Sequence, residues 1–380
     1  MKFRVERDAL TTAVTWTAKS LPTRPSVPVL AGALLKVEDG ALTISGFDYE
    51  ISSQVTVGVE ADAPGTALVS GRLLAEIVKA LPAKPVEFAA VDGHAEITCG
   101  SARFTLPTMP VEDYPALPAM PGVVGTIPAD VFATAVSQVA VAAGRDDTLP
   151  TMTGVQVEMT GTSFALLATD RYRMAVRELD WSPVDDDVNL TVLIPAKALS
   201  DTAKSFGAGG GDVTIAMPTE GGGTGLVGFS VQNRHTTSRV LDGQLPKLRS
   251  LLPTAYNAKL RVTAAELVEV SRRVALVAER DTRIQLRIDA DGLVVEAGGT
   301  EDAKASEAMD CVYDGEPMTV AFNSQYLLDG LSAINAQTAV LSFTDPMKPV
   351  VLTGAAPGDD DEVIEIEGYK YLLQPLRFDN

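Results

Sequence analysis

The sequence is poor in the residues on which many catalytic and metal sites depend. Its 380 residues include only two cysteines and two histidines. Cys99 and Cys311 are too few for a disulfide framework, and neither has a metal-ligand partner nearby in the sequence. His94 and His235 lie in predicted hairpins, without a nucleophile or carboxylate at a spacing that suggests a proton relay. We therefore expect a protein that is not an enzyme and that needs neither a metal nor a cofactor.

Long apolar segments are also missing. No run approaches the roughly 20 residues of a membrane-spanning helix, and residues 1–8 lack the apolar core of a signal peptide. The composition, 46% hydrophobic but only 6% aromatic, is typical of a globular protein built on Val, Ala and Leu. We expect a cytoplasmic protein with no membrane partner, long enough for two or three domains.

Two local patterns look like functional motifs but lie in the wrong context. Gly223–Gly228 satisfies G-x-G-x-x-G, yet it leads into an alternating strand, so no helix N-terminus follows that could hold a pyrophosphate. The acidic runs Asp185–Asp187 and Asp359–Glu362 lie beside turn residues. Local runs of this kind indicate solvated loops more than a convergent set of metal-binding or acid/base carboxylates.

One strand–helix unit recurs three times along the chain. Its first copy, 66–82, is a short apolar run that ends at Ser70, followed by a helical pattern of apolar residues. Ser70 is a good N-cap, because its hydroxyl can accept an unpaired amide of the first helical turn. The corresponding strand-to-helix junctions are Pro195 and Asn323. The steps of about 125 and about 128 residues are domain-sized, which indicates three tandem copies.

The sequence around this unit repeats as well. Each copy opens with an amphipathic helix, the first over Arg7–Ser20. In the third copy, Thr263 and Glu266 have the spacing of a capping box. A pair of alternating strands follows each opening helix. The turns of these pairs are 38–40, 160–161 and 289–292.

The three copies predict an α+β fold of three tandem domains. Each domain should have an antiparallel sheet backed by two helices, because a sheet and an amphipathic helix each bury one face. The proline-spaced segments 110–121 and 246–253 read as linkers. These place the domains at 1–122, 123–256 and 257–380.

Charge is distributed unevenly along this acidic chain. A net charge of −19 would normally argue against nucleic acid as a partner. The six predicted helices and their ends, however, contain eleven basic and eight acidic residues, so they carry +3 and the remainder carries −22. The helix dipole attracts basic residues to helix C-termini, which explains only some of this contrast. We expect helical and sheet surfaces of different potential.

Four segments carry a resemblance to a known family. They are Leu167–Ala175, Leu241–Pro246, Phe322–Asp329 and Tyr371–Arg377, which read LATDRYRMA, LDGQLP, FNSQYLLD and YLLQPLR. Together with the three copies, they resemble the bacterial DNA polymerase III β subunit, the replicative sliding clamp, over the whole chain. The resemblance implies a head-to-tail homodimer: a ring with sheets outside and helices inside, which encircles duplex DNA and serves as the processivity factor of chromosomal replication.

The resemblance also implies which residues contact DNA and the second subunit. Lys and Arg on helices suit a sliding surface, since phosphate contacts are independent of sequence. The DNA-binding candidates are Arg24, Arg72, Arg145, Lys197, Lys204 and Arg280. The edge strand with Phe104 and Leu106 should meet the surface near Leu276 of the other subunit.

A peptide pocket between the second and third domains is implied for protein partners. These partners are the DNA polymerase III α subunit, the clamp loader and other clamp-motif proteins. An apolar floor, a polar rim and an extended proline-containing segment suit a peptide site. The candidate residues are Met152, Thr169, Arg171, Tyr172, Arg173, Met174, Pro246, Ser250, Leu251, Leu372, Gln374, Pro375, Leu376 and Arg377.

Three of these positions depart from the family pattern. The family usually has glycine, histidine and methionine where Arg171, Tyr172 and Gln374 stand, so the pocket entrance should be more crowded and more polar. Two other functions stay open at this stage: a repeat scaffold that binds proteins only, and an enzyme that uses loop carboxylates. A convergent cleft of perturbed carboxylates would favour the enzyme.

Overall fold

A computed structural model describes residues 1–207, 210–218, 225–277, 283–298, 303–357 and 363–377. These residues form six α-helices, as the three-copy pattern predicted. They are α1 (Arg7–Ala18), α2 (Gly71–Ala80), α3 (Ala129–Ala140), α4 (Ala196–Phe206), α5 (Ala264–Val274) and α6 (Ser324–Ala333). No helix among the described residues is long and apolar enough to span a bilayer.

Strands account for most of the remaining ordered chain. In sequence order they are β1 (Lys2–Val5), β2 (Gly32–Glu38), β3 (Ala41–Phe47), β4 (Ile51–Gly58), β5 (Glu60–Ala63), β6 (Gly65–Ser70), β7 (Val86–Val91), β8 (His94–Cys99), β9 (Ala102–Met109), β10 (Val123–Pro128), β11 (Gly154–Thr160), β12 (Ser163–Thr169), β13 (Arg173–Asp180), β14 (Ser182–Pro183), β15 (Asn189–Pro195), β16 (Asp212–Ala216), β17 (Leu226–Val231), β18 (Arg234–Arg239), β19 (Ala258–Thr263), β20 (Arg283–Asp289), β21 (Gly292–Ala297), β22 (Ala305–Met309), β23 (Val312–Asp314), β24 (Met318–Asn323), β25 (Thr338–Phe343), β26 (Val350–Pro357), β27 (Val363–Glu365) and β28 (Tyr369–Leu373).

The chain divides into two compact units, of which the first contains residues 1–130 and 204–240. Its strands pair in the order β10-β16-β17-β18-β4-β3-β2-β6-β9-β8-β7-β1-β5. The β18–β4 pair joins distant parts of the chain, with Arg234 opposite Val55 and Ser238 opposite Ile51. α1 packs against α2 and covers β3 and β4. An antiparallel sheet backed by two helices is thus present, as predicted.

The second unit contains residues 131–203 and 241–380. Its larger sheet has the order β15-β11-β12-β13-β28-β26-β25-β19-β23, with β27 beside β26, and its smaller sheet has the order β22-β21-β20-β24. α5 and α6 pack against each other; α5 contacts β21 and β22, and α6 contacts β24 and β28. The β13–β28 pair brings the end of the chain next to the middle of the sequence.

Two of the three predicted helix starts are capped as expected, and one predicted cap is wrong. The Leu73 amide donates to Ser70 Oγ (3.4 Å), and the Tyr326 amide donates to Asn323 Oδ1 (3.1 Å). Thr263 is the N-cap residue of α5, but its side chain accepts no capping hydrogen bond. The Ala264 amide, which precedes the amides that an N-cap side chain accepts, donates to the carbonyl of residue 337 at 2.9 Å.

The three predicted hairpins are confirmed as β2–β3, β11–β12 and β20–β21. The sequence pattern did not predict the strand that follows each hairpin, which is β4, β13 and β22 in turn. In β4 the reason is visible, because Ser52 and Ser53 are buried polar residues. The Ser52 hydroxyl pairs with the Thr237 hydroxyl of β18 at 2.6 Å. A strand that buries hydroxyl groups lacks the apolar alternation by which strands are recognised.

α6 approaches β28 closely at Gly330. A β-carbon at this position would lie 2.5 Å from Cε1 of Tyr371, whose side chain is fully buried. A glycine inside a helix is usually less favourable than alanine. Contact with the tyrosine ring therefore explains a glycine here.

We expect Gly330→Ala to lower the free energy of unfolding by about 1–3 kcal/mol, because overpacking forces the ring or the helix to move. Gly58→Ala is the matched control, since nothing lies within 4 Å of a β-carbon there. Urea unfolding followed by circular dichroism measures both variants. Equal unfolding midpoints for the two would contradict the proposed role of the close approach.

Candidate functional site

Two of the three predicted pocket walls are neighbouring strands of the second unit. Met174 of β13 lies opposite Leu372 of β28 in the antiparallel register. Beyond β28, the Gln374 amide donates to the Tyr172 carbonyl at 2.9 Å. The pairing continues past the strand ends. Residues about 200 positions apart in the sequence therefore lie side by side, at the spacing of neighbouring strands in a sheet.

The third wall shares an apolar cluster with these strands. Buried members of the cluster come from β12, β13, β15, β26, β28 and the segment after β18: Ala165, Leu167, Met174, Val176, Leu193, Leu245, Leu248, Val351 and Leu372. The half-buried residues packed against it are Met152, Leu241, Leu252 and Tyr256. The predicted apolar floor is therefore present, and it connects all three predicted walls.

Polar contacts hold the segment Leu245–Leu251 against the sheet. The Leu245 amide donates to Gln156 Oε1 at 2.8 Å. Arg249 Nε donates to Glu178 Oε1 at 2.9 Å, and its Nη1 bonds Glu158. Pro246, Ser250 and Leu251 remain exposed, and Leu251 stands out because an apolar side chain here is 57% exposed.

The turn between β12 and β13 is fixed by its own side chains. Thr169 Oγ1 donates to the Arg173 carbonyl (2.6 Å) and accepts the Arg171 amide (3.1 Å). Asp170 Oδ1 accepts the Tyr172 and Arg173 amides at 3.1 and 3.0 Å. Asp and Thr side chains commonly shape turns in this way. The turn presents Arg171 and Tyr172 to solvent and turns Arg173 inward.

Arg173 is a buried charge with partners from three parts of the chain. Its side chain is only 5% exposed. Nε pairs with Asp170 at 2.9 Å, Nη1 pairs with Asp329 of α6 at 2.6 Å, and the guanidinium carbon lies 4.3 Å from the Tyr326 ring centre. Burial opposes the charge, but Tyr371 and the two carboxylates outweigh it and raise the pKa of Arg173. The guanidinium therefore remains charged in the interior.

A pocket of about 450 Å³, here called the turn pocket, opens beside this network. It is lined by residues between 143 and 152, by residues 170–173, and by Gln325, Tyr326 and Asp329 of α6. Four predicted pocket residues, Met152, Arg171, Tyr172 and Arg173, belong to its lining. The three α6 residues were not predicted as site residues, although they lie in one of the segments that carry the family resemblance.

The end of the chain adopts an extended course beside this region. Pro375 is buried and Leu376 is half-buried. The Leu376 amide donates to the Ala321 carbonyl of β24 at 2.8 Å, and the Arg377 carbonyl accepts a bond from Arg283. The C-terminal segment is thus fixed to the second unit as far as it is described; residues 378–380 lie outside the described chain.

The described cationic candidates are all exposed. Arg72 lies on α2, Arg24 in the loop after α1, and Lys204 near the end of α4. Arg145 and Lys197 line a second pocket, of about 410 Å³. Lys197 is paired with Asp201 at 2.7 Å, which reduces its net positive contribution. Arg280 lies outside the described residues.

One of the three interface candidates is misplaced. Leu276 is 84% exposed and Phe104 is partly exposed, so both could contact another molecule. Leu106 is only 2% exposed, so its side chain belongs to the core of its own unit and cannot contribute interface surface. The strand was expected to expose both residues. Phe104 and Leu106 are two residues apart and share one face of β9, so that face is open to solvent at Phe104 and covered at Leu106.

The acidic loops do not form a convergent cleft in the described structure. Asp185–Asp187 form an exposed turn in which Asp185 accepts the Asp187 amide at 2.9 Å. Asp359–Glu362 lie outside the described chain, as do residues 223–224 of the glycine motif. The strand that was predicted to follow this motif is present as β17. No group of three or more potential metal ligands occurs among the residues that the structure describes.

Removing the Arg173 side chain should destabilise the fold. We expect Arg173→Ala to lower the free energy of unfolding by about 2–4 kcal/mol, because Asp170 and Asp329 would be left largely buried without a counter-charge. Lys197→Ala removes an exposed pair and should barely change it. Urea unfolding of both variants measures the difference. A loss at Arg173 no larger than that at Lys197 would contradict the role of the network.

Comparisons with known proteins agree with this architecture. The N-terminal, central and C-terminal domains of the DNA polymerase III beta subunit family match residues 1–118, 126–247 and 249–365. The chain is 52% identical to the beta sliding clamp of Streptomyces coelicolor over 99% of each chain. It is 41% identical to a beta sliding clamp homolog of Streptomyces muensis over 100% of both.

Solved structures of sliding clamps have the same fold. The DNA polymerase sliding clamp of Bacillus subtilis is 27% identical, with a TM-score of 0.89 over 100% of this chain and 99% of that one. A Pseudomonas aeruginosa sliding clamp, solved bound to griselimycin, is 25% identical, with a TM-score of 0.90 over 100% of both chains. The fold is thus three tandem clamp domains, and the chain belongs to the DNA polymerase III beta subunit family, the beta sliding clamps.

Proposed function

We propose that this chain is the processivity factor of chromosomal DNA replication. Two copies form a ring around duplex DNA, and the ring slides along the DNA while it tethers the replicative polymerase. The observation that carries this proposal is the match of three tandem clamp domains along the chain to the family of non-catalytic polymerase subunits. Neither catalysis nor a cofactor is needed, because topology and peptide binding supply the tether. Replication proteins of this kind act in the cytoplasm.

The domain boundaries 1–122, 123–256 and 257–380 are part of this proposal. The first boundary is supported by the family matches, which leave a gap between residues 118 and 126. The second, after residue 256, lies inside the match of the C-terminal domain, which begins at residue 249. Head-to-tail pairing would place the exposed Leu276 of one copy against the β9 strand with Phe104 of the other. Among the described residues, β9 pairs along Ala102–Pro107 with β8 alone, so its other edge can accept a strand.

DNA would contact the ring through basic side chains on helices and on the loops that follow them. Arg24, Arg72, Arg145, Lys197 and Lys204 are exposed and able to reach phosphates, and Arg280 is proposed from the family resemblance alone. Few and weak phosphate contacts suit a sliding protein, because each contact adds affinity that is independent of sequence. The acidic remainder of the chain disfavours DNA elsewhere.

Protein partners would insert a short peptide over the apolar floor that joins the three predicted walls. These partners are the polymerase III α subunit, the clamp loader and other clamp-motif proteins. The exposed Leu251 above the buried cluster supports this proposal, since unpaired apolar surface beside a groove marks sites of association. The second and third walls supply further candidates, namely Pro246, Ser250, Leu372, Gln374, Pro375, Leu376 and Arg377.

The ring is tested by its retention on DNA. After loading, wild-type protein should remain on nicked circular DNA and leave when the circle is cut, because only topology holds it.

Leu276→Asp should convert the dimer to a monomer, because a carboxylate pressed against apolar surface costs several kcal/mol. The variant should therefore lose its retention on DNA. Its folding should be unchanged because Leu276 is exposed. Gel filtration and bead-bound DNA measure both, and equal retention on linear and circular DNA would refute the ring.

The peptide site is tested by two equally exposed apolar residues. Leu251→Ala should weaken binding of a fluorescent clamp-motif peptide by about 1–2 kcal/mol, because it removes apolar surface that the peptide would cover. Ile364→Ala, at 59% exposure against 57% for Leu251, should leave peptide affinity unchanged. Fluorescence anisotropy gives both affinities. Equal losses in the two variants would place the peptide elsewhere.

A further inference from the structure

The turn pocket contains an arginine in an unusual backbone conformation. Arg171 has φ of +81°, in the left-handed region that residues other than glycine rarely adopt. Bonds from Thr169 and Asp170 hold the turn in this form. The position would suit glycine, yet the chain places there a long, charged side chain at the edge of the pocket.

The guanidinium of Arg171 ends a stack of four side chains. Its central carbon lies 5.8 Å from the Tyr172 ring centre. The Tyr172 and Tyr326 ring centres are 6.3 Å apart, and Tyr326 faces the buried Arg173. Cations are attracted to aromatic faces, so the stack restrains the Arg171 side chain while its exposed N–H groups remain available to a ligand.

The carboxylates of the turn pocket are already engaged. Asp170 and Asp329 are paired with Arg173. Asp146 accepts hydrogen bonds from the Thr148 hydroxyl and amide at 2.6 and 3.0 Å. These three acids line the pocket together with the cations, and each has a partner that was supplied by the fold.

The two remaining cations of the pocket have no such partner. Arg145 and Arg171 make no ion pair or side-chain hydrogen bond with any residue in the described part of the chain. Hydrogen bonds from Thr148, and after them the charge of Arg171, lower the pKa of Asp146, so this acid is ionised near Arg171 without contacting it. The pocket therefore offers two guanidinium groups to an incoming anion.

We propose that Arg171 determines the specificity of the peptide site and selects a partner peptide with an Asp or Glu side chain. This inference rests on the proposed peptide-binding function. A guanidinium binds a carboxylate through two parallel hydrogen bonds. A peptide is favoured over nucleic acid because Met152, which lines the pocket, also packs against the apolar cluster. Apolar side chains flanking the acid can reach that surface, and a phosphate backbone has none to offer.

The test is an aspartate scan of a fluorescein-labelled clamp-motif peptide from a polymerase III α subunit. At each position other than its apolar anchors, one peptide carries Asp and its matched partner carries Asn, which has the same shape without the charge. On wild-type protein, at least one Asp peptide should bind about threefold to tenfold more tightly than its Asn partner. High salt should reduce that ratio, because part of the pocket is open to solvent.

Arg171→Gln is the informative variant. It removes the charge and keeps a side chain at the same backbone conformation, whereas glycine would also relax the turn. The Asp-to-Asn ratio should fall below about twofold in this variant. Arg4→Gln is the matched control, since Arg4 is an exposed arginine of β1 that does not line the pocket; it should keep the wild-type ratio.

Three results would overturn the inference. One is equal binding of Asp and Asn peptides at every position on wild-type protein, and another is a ratio that persists in Arg171→Gln. The third is displacement of peptide by oligothymidylate that depends on Arg171 without any Asp preference, which would assign the cation to nucleic acid. If no motif peptide binds wild-type protein even with its apolar anchors intact, the proposed peptide-binding function itself fails.

Discussion

The burial of Arg173 is the constraint around which the candidate site is built. A buried guanidinium is tolerated only where its charge is paired and its donors are satisfied. Here the partners come from the β12–β13 turn, from α6 and from β28. Arg173, Asp170 and Asp329 also line the turn pocket, so the interaction that stabilises the interior also fixes one wall of the site. Displacing any one of these elements would leave buried charged groups without their partners, which would be strongly destabilising.

Pairing between distant strands extends this constraint along the chain. β18 pairs with β4 in the first unit, and β13 pairs with β28 in the second. The central family domain, 126–247, is therefore shared between the two compact units. A strand pair gains its hydrogen bonds only when the whole register forms. Sites assembled from the middle and the end of the sequence are a direct consequence.

Local signals predicted the repeat well and the site only in part. Ser70 and Asn323 cap helices through contacts within a few residues, so spacing alone predicts them. Tyr326 and Asp329 enter the site through partners more than 150 positions away, which no periodicity reveals. Leu106 was misplaced because alternation puts it on the same face of β9 as Phe104 without saying how far along the strand that face is covered. Thr263 is the N-cap residue of α5 but makes no side-chain capping bond, because spacing identifies the position of a cap and not the rotamer of its side chain.

The departures from the family pattern at Arg171, Tyr172 and Gln374 change the charge and the shape of the candidate site but not its place in the fold. A glycine at 171 would leave the turn relaxed and the pocket edge uncharged; the arginine accepts backbone strain of about 1 kcal/mol or more. The buried network opposes that strain, because Asp170 holds both the turn amides and Arg173. A restrained cation on an aromatic stack loses little conformational freedom when it binds a carboxylate, and a smaller entropy loss leaves more of the interaction free energy as affinity. The Asp170 hydrogen bonds thus stabilise the turn and also hold Arg171, to which we assign the proposed selectivity, at its surface.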